Sequence, residues 1–398
     1  MQRILLTDFE FNGTKFDKLS VITDQNSNML LLPTLWSVHL SNIGTSHQVK
    51  IKSNGQTTEE LIEETDLSDK TITSYISKLF SYLKSLTGSI DNQLANMNTA
   101  SVNHYLNEVL PKSEISLNTL LLSKSALTSF FNFLHMIGIC RKLQFTIYRK
   151  TRKKVEDNSK ATLKIKYVMR SIRAKLLQSC PNKRDRLILR MGYEVGLRAA
   201  ENRGLVLNDA KVRNKPQKGL KSLFDELESN PTKLRFEFYL KGKYAKRGKG
   251  RWIYFNRPLL EDLKDYFETE RNNFGRPKTD HLFVRIDKGN QGKEIGEGHA
   301  SRIFRNLLNK HMASLKGQYS YHDLRHTFAT ELYHSELIDE NGKDTRSESA
   351  ALYVVSERLG HANIETSKIY IRLQHQMVML EGMDSTTSHP FTCFERLS

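Results

Sequence analysis

The stretch YHDLRHTFAT, residues 321–330, sets two histidines and an arginine within the apolar spacing that is typical of a helix. We predict a helix over 322–334, in which His322 and Arg325 stand three positions apart and share one face. His326 follows His322 by four positions, so it lies on the same face. A zinc site at these two histidines is disfavoured, because the glutamate of an HExxH metal motif is missing.

A second stretch, LGHANIETSKIYIR, lies downstream at residues 359–372. Gly360 is typical of a helix end, and His361 follows it directly. Tyr370 comes nine residues later, on what we predict to be the next helix. Taken alone, a tyrosine at such a position is more often part of the core than of a site.

A third stretch, GLRAAENRGL, lies upstream at residues 196–205. Arg198 opens a predicted helix directly after a glycine turn, and Glu201 follows three residues later on the same face. A carboxylate at that spacing can orient a guanidinium group. Taken alone, this pattern is better explained as a routine surface ion pair.

A fourth pattern is a predicted β-hairpin with a basic connection. The strands LRFEFYL (234–240) and RWIYF (251–255) are joined by the run KGKYAKRGKGR, which holds six cations and no acid. A lysine on such a loop can reach a phosphate or a leaving oxygen. The alternative is that these charges only protect the edge of a small sheet.

Together the four patterns suit the exchange of a phosphodiester. Fixed arginines hold its non-bridging oxygens, and a tyrosine hydroxyl can form a covalent phosphoester. A lysine or histidine can protonate the leaving 5′-oxygen. We expect no metal and no other cofactor, because the arginines supply the charge, no carboxylate cluster suggests a two-metal nuclease, and no phosphate-binding GxxxxGK[ST] loop is present.

These motifs resemble those of the tyrosine recombinase (phage integrase) family over residues 57–373. The resemblance implies that Tyr370 is the nucleophile and that Glu201 supports the first arginine. The other catalytic residues that it implies are Arg198, Lys246, His322, Arg325 and His361.

The lysine assignment has competitors. Counting back from Ile253-Tyr254-Phe255 places Lys246 at the family's catalytic position and Lys249 at a later conserved one. Lys243 competes, because Lys241-Gly242-Lys243 mimics the start of the same motif.

The resemblance implies a mainly α fold with a small β-sheet, closing as a clamp around DNA. Residues 1–55 read as a strand-rich segment, interpreted as an arm-binding or contact module. Residues 56–150 are predicted as a helical core-binding domain, and 151–398 as an α-rich catalytic domain with a C-terminal tail. Helices are predicted at 71–86, 101–109 and 117–139, a linker at 145–160, and loops at 211–232 and 335–349.

The charge of the chain favours a polyanionic partner. The formal net charge is +17, and residues 141–190 hold 17 basic against 3 acidic residues. Clustered lysine and arginine of this kind favour nucleic acid, because each phosphate contact releases counterions. We predict these DNA-contact residues: Lys150, Arg152, Lys153, Lys154, Lys243, Lys249 and Arg251.

The function implied is site-specific recombination, for integration or excision of a mobile element, through a 3′-phosphotyrosyl intermediate. The expected partners are double-stranded DNA with specific recombination sites and three further copies of the chain, with the need for an accessory DNA-bending or excision factor left open. The alternatives are a type IB-like topoisomerase and a non-catalytic DNA-binding regulator. Three scattered cysteines and no membrane-length apolar run favour the cytoplasm, at the nucleoid if the source is prokaryotic.

Overall fold

The computed structural model describes residues 1–11, 13–53, 58–161, 166–245, 248–273, 279–338, 343–360 and 367–383. The chain divides into two compact units, Met1–Leu163 and Lys164–Ser398. Among the described residues, no helix combines the length and the apolar character that a membrane crossing requires.

The first unit contains two antiparallel hairpins and a group of helices. Its elements in chain order are β1 (Gln2–Phe11), β2 (Thr14–Thr23), α1 (Leu31–Ile43), β3 (Thr45–Ser53), β4 (Thr58–Asp66), α2 (Asp69–Leu83), α3 (Ile90–Ala95), α4 (Thr99–His104), α5 (Leu117–Met136) and α6 (Arg149–Ala161). A π-helical turn, Tyr105–Val109, continues α4, and a short 3₁₀ turn follows at Leu110–Ser113.

Helices α2 and α5 confirm the two long helices predicted in this unit. Each begins at a serine, Ser68 or Ser116, whose side chain accepts a hydrogen bond from the backbone N–H three residues later. Their apolar faces meet in one buried cluster, which includes Leu79, Phe130 and Trp36 of α1. The predicted spacing of apolar residues therefore reflects a shared core.

The strand-rich reading of residues 1–55 is wrong in one place, and the helical reading after residue 57 is wrong in another. Helix α1 occupies 31–43, and Pro33 is tolerated because the first turn of a helix leaves its N–H groups unpaired. Residues 58–66 form β4, which pairs with β3 along its whole length. Pairing with the preceding strand in a hairpin overrides the local preference of this glutamate-rich segment.

The predicted linker at 145–160 is largely helical. Thr151 and Val155 of α6 are buried one turn apart, while the basic residues of its first half are exposed. Val155 joins the core of the first unit, so α6 packs there. The division between units falls after Leu163, whereas residue 150, where the sequence predicts the domain boundary, lies in the first turn of α6.

The second unit is mainly helical with two small hairpins, which agrees with the expected fold class. Its elements are α7 (Arg170–Gln178), α8 (Lys183–Glu194), a 3₁₀ helix (Ala199–Gly204), β5 (Ala210–Val212), β6 (Lys215–Gln217), α9 (Leu220–Ser229), β7 (Arg235–Leu240), β8 (Arg251–Asn256), α10 (Arg257–Glu268), α11 (Glu270–Asn273), α12 (His299–His311), α13 (Tyr321–Leu337), α14 (Glu348–Leu359) and α15 (Ile369–Met383).

The predicted β7–β8 hairpin is confirmed, with Phe238 opposite Ile253 in its register. The loop predicted at 211–232 is wrong, because it contains a short hairpin and α9. The buried residues of α9 are Leu220, Leu223, Phe224 and Leu227, which is the spacing of one helical face. In the second predicted loop, α13 continues to Leu337, and Ile338 then forms a bridge with Asp344.

Helix α13 is the central element of the second unit. Tyr321 and Leu324 belong to the larger buried cluster, whereas Phe328 and Leu332 belong to a second cluster that includes residues of α14 and α15. Most of the α13 surface is therefore buried, and the residues of the YHDLRHTFAT stretch are held on a rigid element.

Candidate active site

The start of α13 is fixed by a capping box. The backbone N–H of Ser320 donates to Oδ2 of Asp323 at 2.7 Å, and the backbone N–H of Lys166 donates to Oδ1 at 3.1 Å. The hydroxyl of Tyr321 donates to the carbonyl of Ile188 in α8 at 3.0 Å. These contacts set the rotation of α13 and so determine where Arg325 points.

Arg325 is buried, with 1% of its surface exposed. Its guanidinium donates to the carbonyls of Gly196 and Leu359, the latter at 2.6 Å. Burial lowers the pKa of Arg325 to about 9, and the nearby charge of Arg251 acts in the same direction. Arg325 thus joins the turn after α8 to the end of α14, at the cost of burying a charge.

Gly196 is required by this arrangement. Its backbone has a φ of +74°, and a Cβ atom there would lie 2.5 Å from Cδ1 of Phe328. A side chain at this position would therefore push against α13 close to Arg325.

Glu201 is the centre of the charged cluster. Its carboxylate accepts hydrogen bonds from the backbone N–H and the guanidinium of Arg198, at 2.8 and 2.7 Å. Arg251 donates to both carboxylate oxygens at 2.8 Å, and Nη1 of Arg325 lies 3.7 Å away. Burial raises the pKa of Glu201, but the hydrogen bonds and charges of the arginines outweigh it and lower that pKa to about 2.

Arg251 does not lie on the exposed tip of the hairpin, where its sequence context predicts a DNA contact. Its side chain is 7% exposed and forms a bidentate pair with Glu201. Its Nε also donates to the carbonyl of Arg358 at 3.1 Å. Because its guanidinium is bound inside the cluster, the position of Arg251 fits support of the site better than contact with a phosphate backbone.

Tyr370 lies within the second cluster with no exposed surface. Its hydroxyl is 3.2 Å from Nδ1 of His326. Burial raises the pKa of Tyr370 to about 12, although the charges of Arg325 and Arg198 act in the opposite direction. The structure therefore brings the tyrosine within electrostatic reach of both predicted catalytic arginines.

His322 and His326 occupy successive turns of α13. Their rings meet edge to face with centroids 4.4 Å apart, His322 being exposed and His326 buried. Sequence reasoning considers His326 only as a zinc ligand and does not connect it to Tyr370. The four-residue spacing from His322 was the available signal, because it places both rings on one face.

Two of the predicted catalytic residues, Lys246 and His361, lie outside the described residues. Lys243 and Lys249 lie in the hairpin connection on either side of residues 246–247, and both are exposed. In the first unit, Lys150, Arg152, Lys153 and Lys154 are exposed on α6, where Nε of Arg152 donates to Glu156 at 3.1 Å. The roles of all these residues stay predictions.

The charged cluster around Glu201 has the excess positive charge of an anion-binding site. Three guanidinium groups surround one carboxylate, which leaves an excess of two positive charges beside a tyrosine hydroxyl. Arg198 is the most open of the three, with 24% of its side chain exposed. Within the ranges that the structure describes, no group of three or more side chains is placed to hold a metal ion. The exposed part of Arg198 offers positive charge to an anion, as binding of a phosphodiester would require.

Comparison with known proteins finds family matches for two parts of the chain. Residues 166–377 match the phage integrase family, and residues 56–136 match the N-terminal SAM-like domain of phage integrases. The fold and the site thus define a tyrosine-type enzyme of site-specific DNA recombination. The chain belongs to the phage integrase family.

Several relatives are similar over much of the chain. A tyrosine recombinase of Pseudothermotoga lettingae is 27% identical over 317 residues, which cover 78% of this chain and 90% of the relative. Transposase A from transposon Tn554 of Staphylococcus aureus is 27% identical, over 52% of this chain and 50% of the relative. The solved Tn1549 transposon integrase in complex with a circular intermediate DNA is 14% identical, with a TM-score of 0.49, over 86% of this chain and 95% of that one.

Proposed function

We propose that this recombinase cuts and rejoins DNA through a covalent 3′-phosphotyrosyl bond on Tyr370, during the integration or excision of a mobile element. The observation that carries the proposal is the single cluster formed by Arg198, Glu201, Arg325 and Tyr370. The cluster combines a tyrosine hydroxyl with fixed positive charge, and transfer of a phosphodiester requires a nucleophile and charge of this kind, which supports the proposal.

In the first step, Oη of Tyr370 attacks the scissile phosphorus and the bond to the 5′-oxygen breaks. Arg198 and Arg325 hold the non-bridging oxygens as negative charge builds on them. Lys246 protonates the leaving 5′-oxygen, which becomes a free hydroxyl. His322 and His361 assist by hydrogen bonding and proton transfer. The arginines supply the charge neutralisation, so the proposal requires no metal ion.

In the second step, the 5′-hydroxyl of a partner strand attacks the phosphotyrosine and gives its proton to the now neutral Lys246, while the bond from phosphorus to Oη breaks and Tyr370 is released and protonated again. The number of phosphodiester bonds is unchanged, so no nucleotide cofactor is needed. We propose that four copies of the chain perform these exchanges in pairs on two recombination sites, through a Holliday junction. The relative named as a transposase supports a role in a mobile element.

The test is covalent capture of DNA by Tyr370. Nicked duplexes tiled across the DNA that flanks the coding sequence are incubated with the protein in EDTA, denatured in SDS and examined for a protein–DNA adduct. The variant Tyr370→Phe is compared with Tyr333→Phe. Tyr333 is a matched control, because it is a buried tyrosine of the same hydrophobic cluster and is assigned no role in the site.

We expect the wild type and Tyr333→Phe to form an adduct in EDTA and Tyr370→Phe to form none. An adduct that persists in Tyr370→Phe contradicts the assignment of the nucleophile. Salt-sensitive DNA binding by the wild type without any adduct contradicts the proposal as a whole and favours a DNA-binding regulator.

A further inference from the structure

The reaction proposed above leaves one proton without a defined acceptor. Tyr370 must lose the proton of its hydroxyl as the bond from Oη to phosphorus forms. Burial raises the pKa of Tyr370 to about 12, so the free phenolate is rare near neutral pH. A neighbouring base that accepts the proton during the attack would therefore accelerate the step.

Nδ1 of His326 is placed for this task, 3.2 Å from Oη of Tyr370. In the neutral imidazole with its proton on Nε2, Nδ1 is an acceptor and the tyrosine hydroxyl is the donor. The two rings also lie close together, with centroids 5.8 Å apart. In that tautomer, the buried Tyr370 hydroxyl donates a hydrogen bond to Nδ1 of His326, which is a nitrogen that can accept its proton.

The support of His326 is rigid. It lies on α13, one residue after Arg325, and its own backbone carbonyl accepts a hydrogen bond from the Thr330 hydroxyl at 2.8 Å. His326 is 8% exposed, so little water competes for its ring. The same helix therefore fixes both a phosphate-holding arginine and the nitrogen next to the nucleophile.

We infer that His326 is a further catalytic residue and is the general base that accepts the Tyr370 proton. As Oη bonds to phosphorus, the O–H bond breaks and the proton moves to Nδ1, giving a histidinium ion. When the 5′-hydroxyl of the partner strand later attacks, Nδ1 returns the proton to Oη as tyrosine leaves. The inference rests on the proposed function, because it requires Tyr370 to be the nucleophile.

His322 is the other histidine on this face, and it fits the role less well. Its ring is exposed and meets the ring of His326 edge to face. The titratable groups in contact with His326 include His322 on its own helix and Tyr370 on α15, and Arg325 is adjacent in sequence. Arg198 and Arg325 also act on the charge of Tyr370.

The experiment measures the single-turnover rate of adduct formation for the wild type, His326→Asn and His326→Gln. The amide oxygen of Asn can take the place of Nδ1 as a hydrogen-bond acceptor, but it does not accept a proton near neutral pH. The control is His334→Asn. His334 lies two turns further along α13 and contacts α15 through Gln374 at 3.0 Å, so its removal disturbs the same pair of helices.

We expect His326→Asn to slow the reaction by about 10²-fold or more, and His334→Asn to react at the wild-type rate. Between pH 6.5 and 8.5, below the pKa of about 9 of Arg325, the rate of His326→Asn should rise about tenfold per pH unit. That slope follows the growing fraction of ionised Tyr370. The wild type should show a shallower slope.

Three outcomes would overturn the inference. A His326→Asn rate within threefold of wild type removes the need for a base, and a faster rate shows that His326 restrains the tyrosine instead. A slow rate that does not rise with pH assigns His326 a structural role only. These outcomes are interpreted only when the wild type forms an adduct and Tyr370→Phe forms none. Failure of that condition would contradict the proposed function, and it is thereby distinguished from failure of the inference about His326.

Discussion

Glu201 shows how a single residue organises the site. It bonds to Arg198, three residues away at the start of the same 3₁₀ helix, and to Arg251, fifty residues away on β8. A carboxylate buried in this way is tolerated because several guanidinium groups compensate its charge. Glu201 in turn holds Arg198 by a hydrogen bond, and its charge lies 3.7 Å from Nη1 of Arg325.

The first prediction concerns acid stability. The pKa of Glu201 is lowered from 4.5 to about 2 in the folded protein, so its stabilising contribution is complete above pH 4.5 and is lost as the pH falls towards 2. The difference corresponds to about 3 kcal/mol at neutral pH. Denaturant unfolding of wild type and Glu201→Gln should show the largest gap in free energy at pH 7 and a shrinking gap below pH 5.

The control for this measurement is Glu228→Gln. Glu228 forms an ion pair with Lys264 at 2.8 Å, but 64% of its side chain is exposed. Exposed pairs of this kind contribute little, so its midpoint should match that of the wild type. A Glu201→Gln variant as stable as the wild type at pH 7 would show that the buried cluster does not stabilise the fold.

The second prediction separates the hairpin lysines. If Lys246 protonates the leaving oxygen, Lys246→Ala should slow cleavage of ordinary DNA by about 10²-fold or more. Cleavage of DNA with sulfur in place of the scissile 5′-oxygen should be restored, because a thiolate leaves without a proton. Lys243→Ala and Lys249→Ala are the controls and should cleave both substrates equally well. Sulfur rescue of Lys243→Ala instead would move the role to Lys243.

At the scale of elements, α6 combines an apolar and a strongly basic face. Thr151 and Val155 are buried, and the exposed cations lie in the first turns of the helix. Positive side chains at a helix N-terminus are unfavourable, because that end already carries partial positive charge. An anion bound there would relieve the repulsion, so we expect this face of α6 to contact a phosphate backbone.

The third prediction tests that face. Replacing the four basic residues by glutamine should weaken DNA binding to a similar extent for all sequences. The salt dependence should also become shallower, by up to about 0.9 in slope for each phosphate that the variant no longer neutralises. Titrations at several salt concentrations measure both effects. The residues replaced are Lys150, Arg152, Lys153 and Lys154.

A matched control removes four positive charges that already have acidic partners elsewhere. Its affinity should fall less, and its salt slope should stay near that of the wild type. Equal effects in the two variants would mean that only net charge matters and that α6 has no contact of its own. The control residues are Lys183, Lys218, Lys233 and Lys264.

At the scale of the whole molecule, each unit has its own hydrophobic core. One buried cluster runs from Ile22 to Val155 in the first unit, and the two others lie within the second. Every described member of the charged cluster also lies in the second unit. Separate cores are typical of units that fold on their own.

The fourth prediction is that residues 164–398 fold alone and retain the covalent chemistry. The fragment should unfold cooperatively on heating and should form the Tyr370 adduct, with weaker DNA binding because α6 is missing. Calorimetry and the adduct assay measure the two properties, and Tyr370→Phe in the fragment is the control. A fragment without a cooperative transition would show that the second unit depends on the first.

Features that depend on neighbours a few residues apart could be predicted from the amino-acid sequence. The three-residue spacings of Arg198 with Glu201 and of His322 with Arg325 predict shared faces, because helix geometry brings such positions together. The apolar periodicities also predict α2 and α5, because such stripes must be buried. The motifs carried the resemblance to the family, and that resemblance implied the mainly α fold.

The meeting of distant side chains could not be predicted in this way. Arg251 looks like one more cation of an exposed loop, yet pairing of β7 with β8 buries it against Glu201. His326 meets Tyr370 because α13 and α15 pack together, although the two residues are 44 positions apart along the chain. Such contacts depend on how helices and strands pack against one another. The spacing of residues along the chain carries no information about the free energy of that packing. The spacing of the motifs therefore predicted the chemistry, and the packing of the helices determined which side chains are placed to perform it.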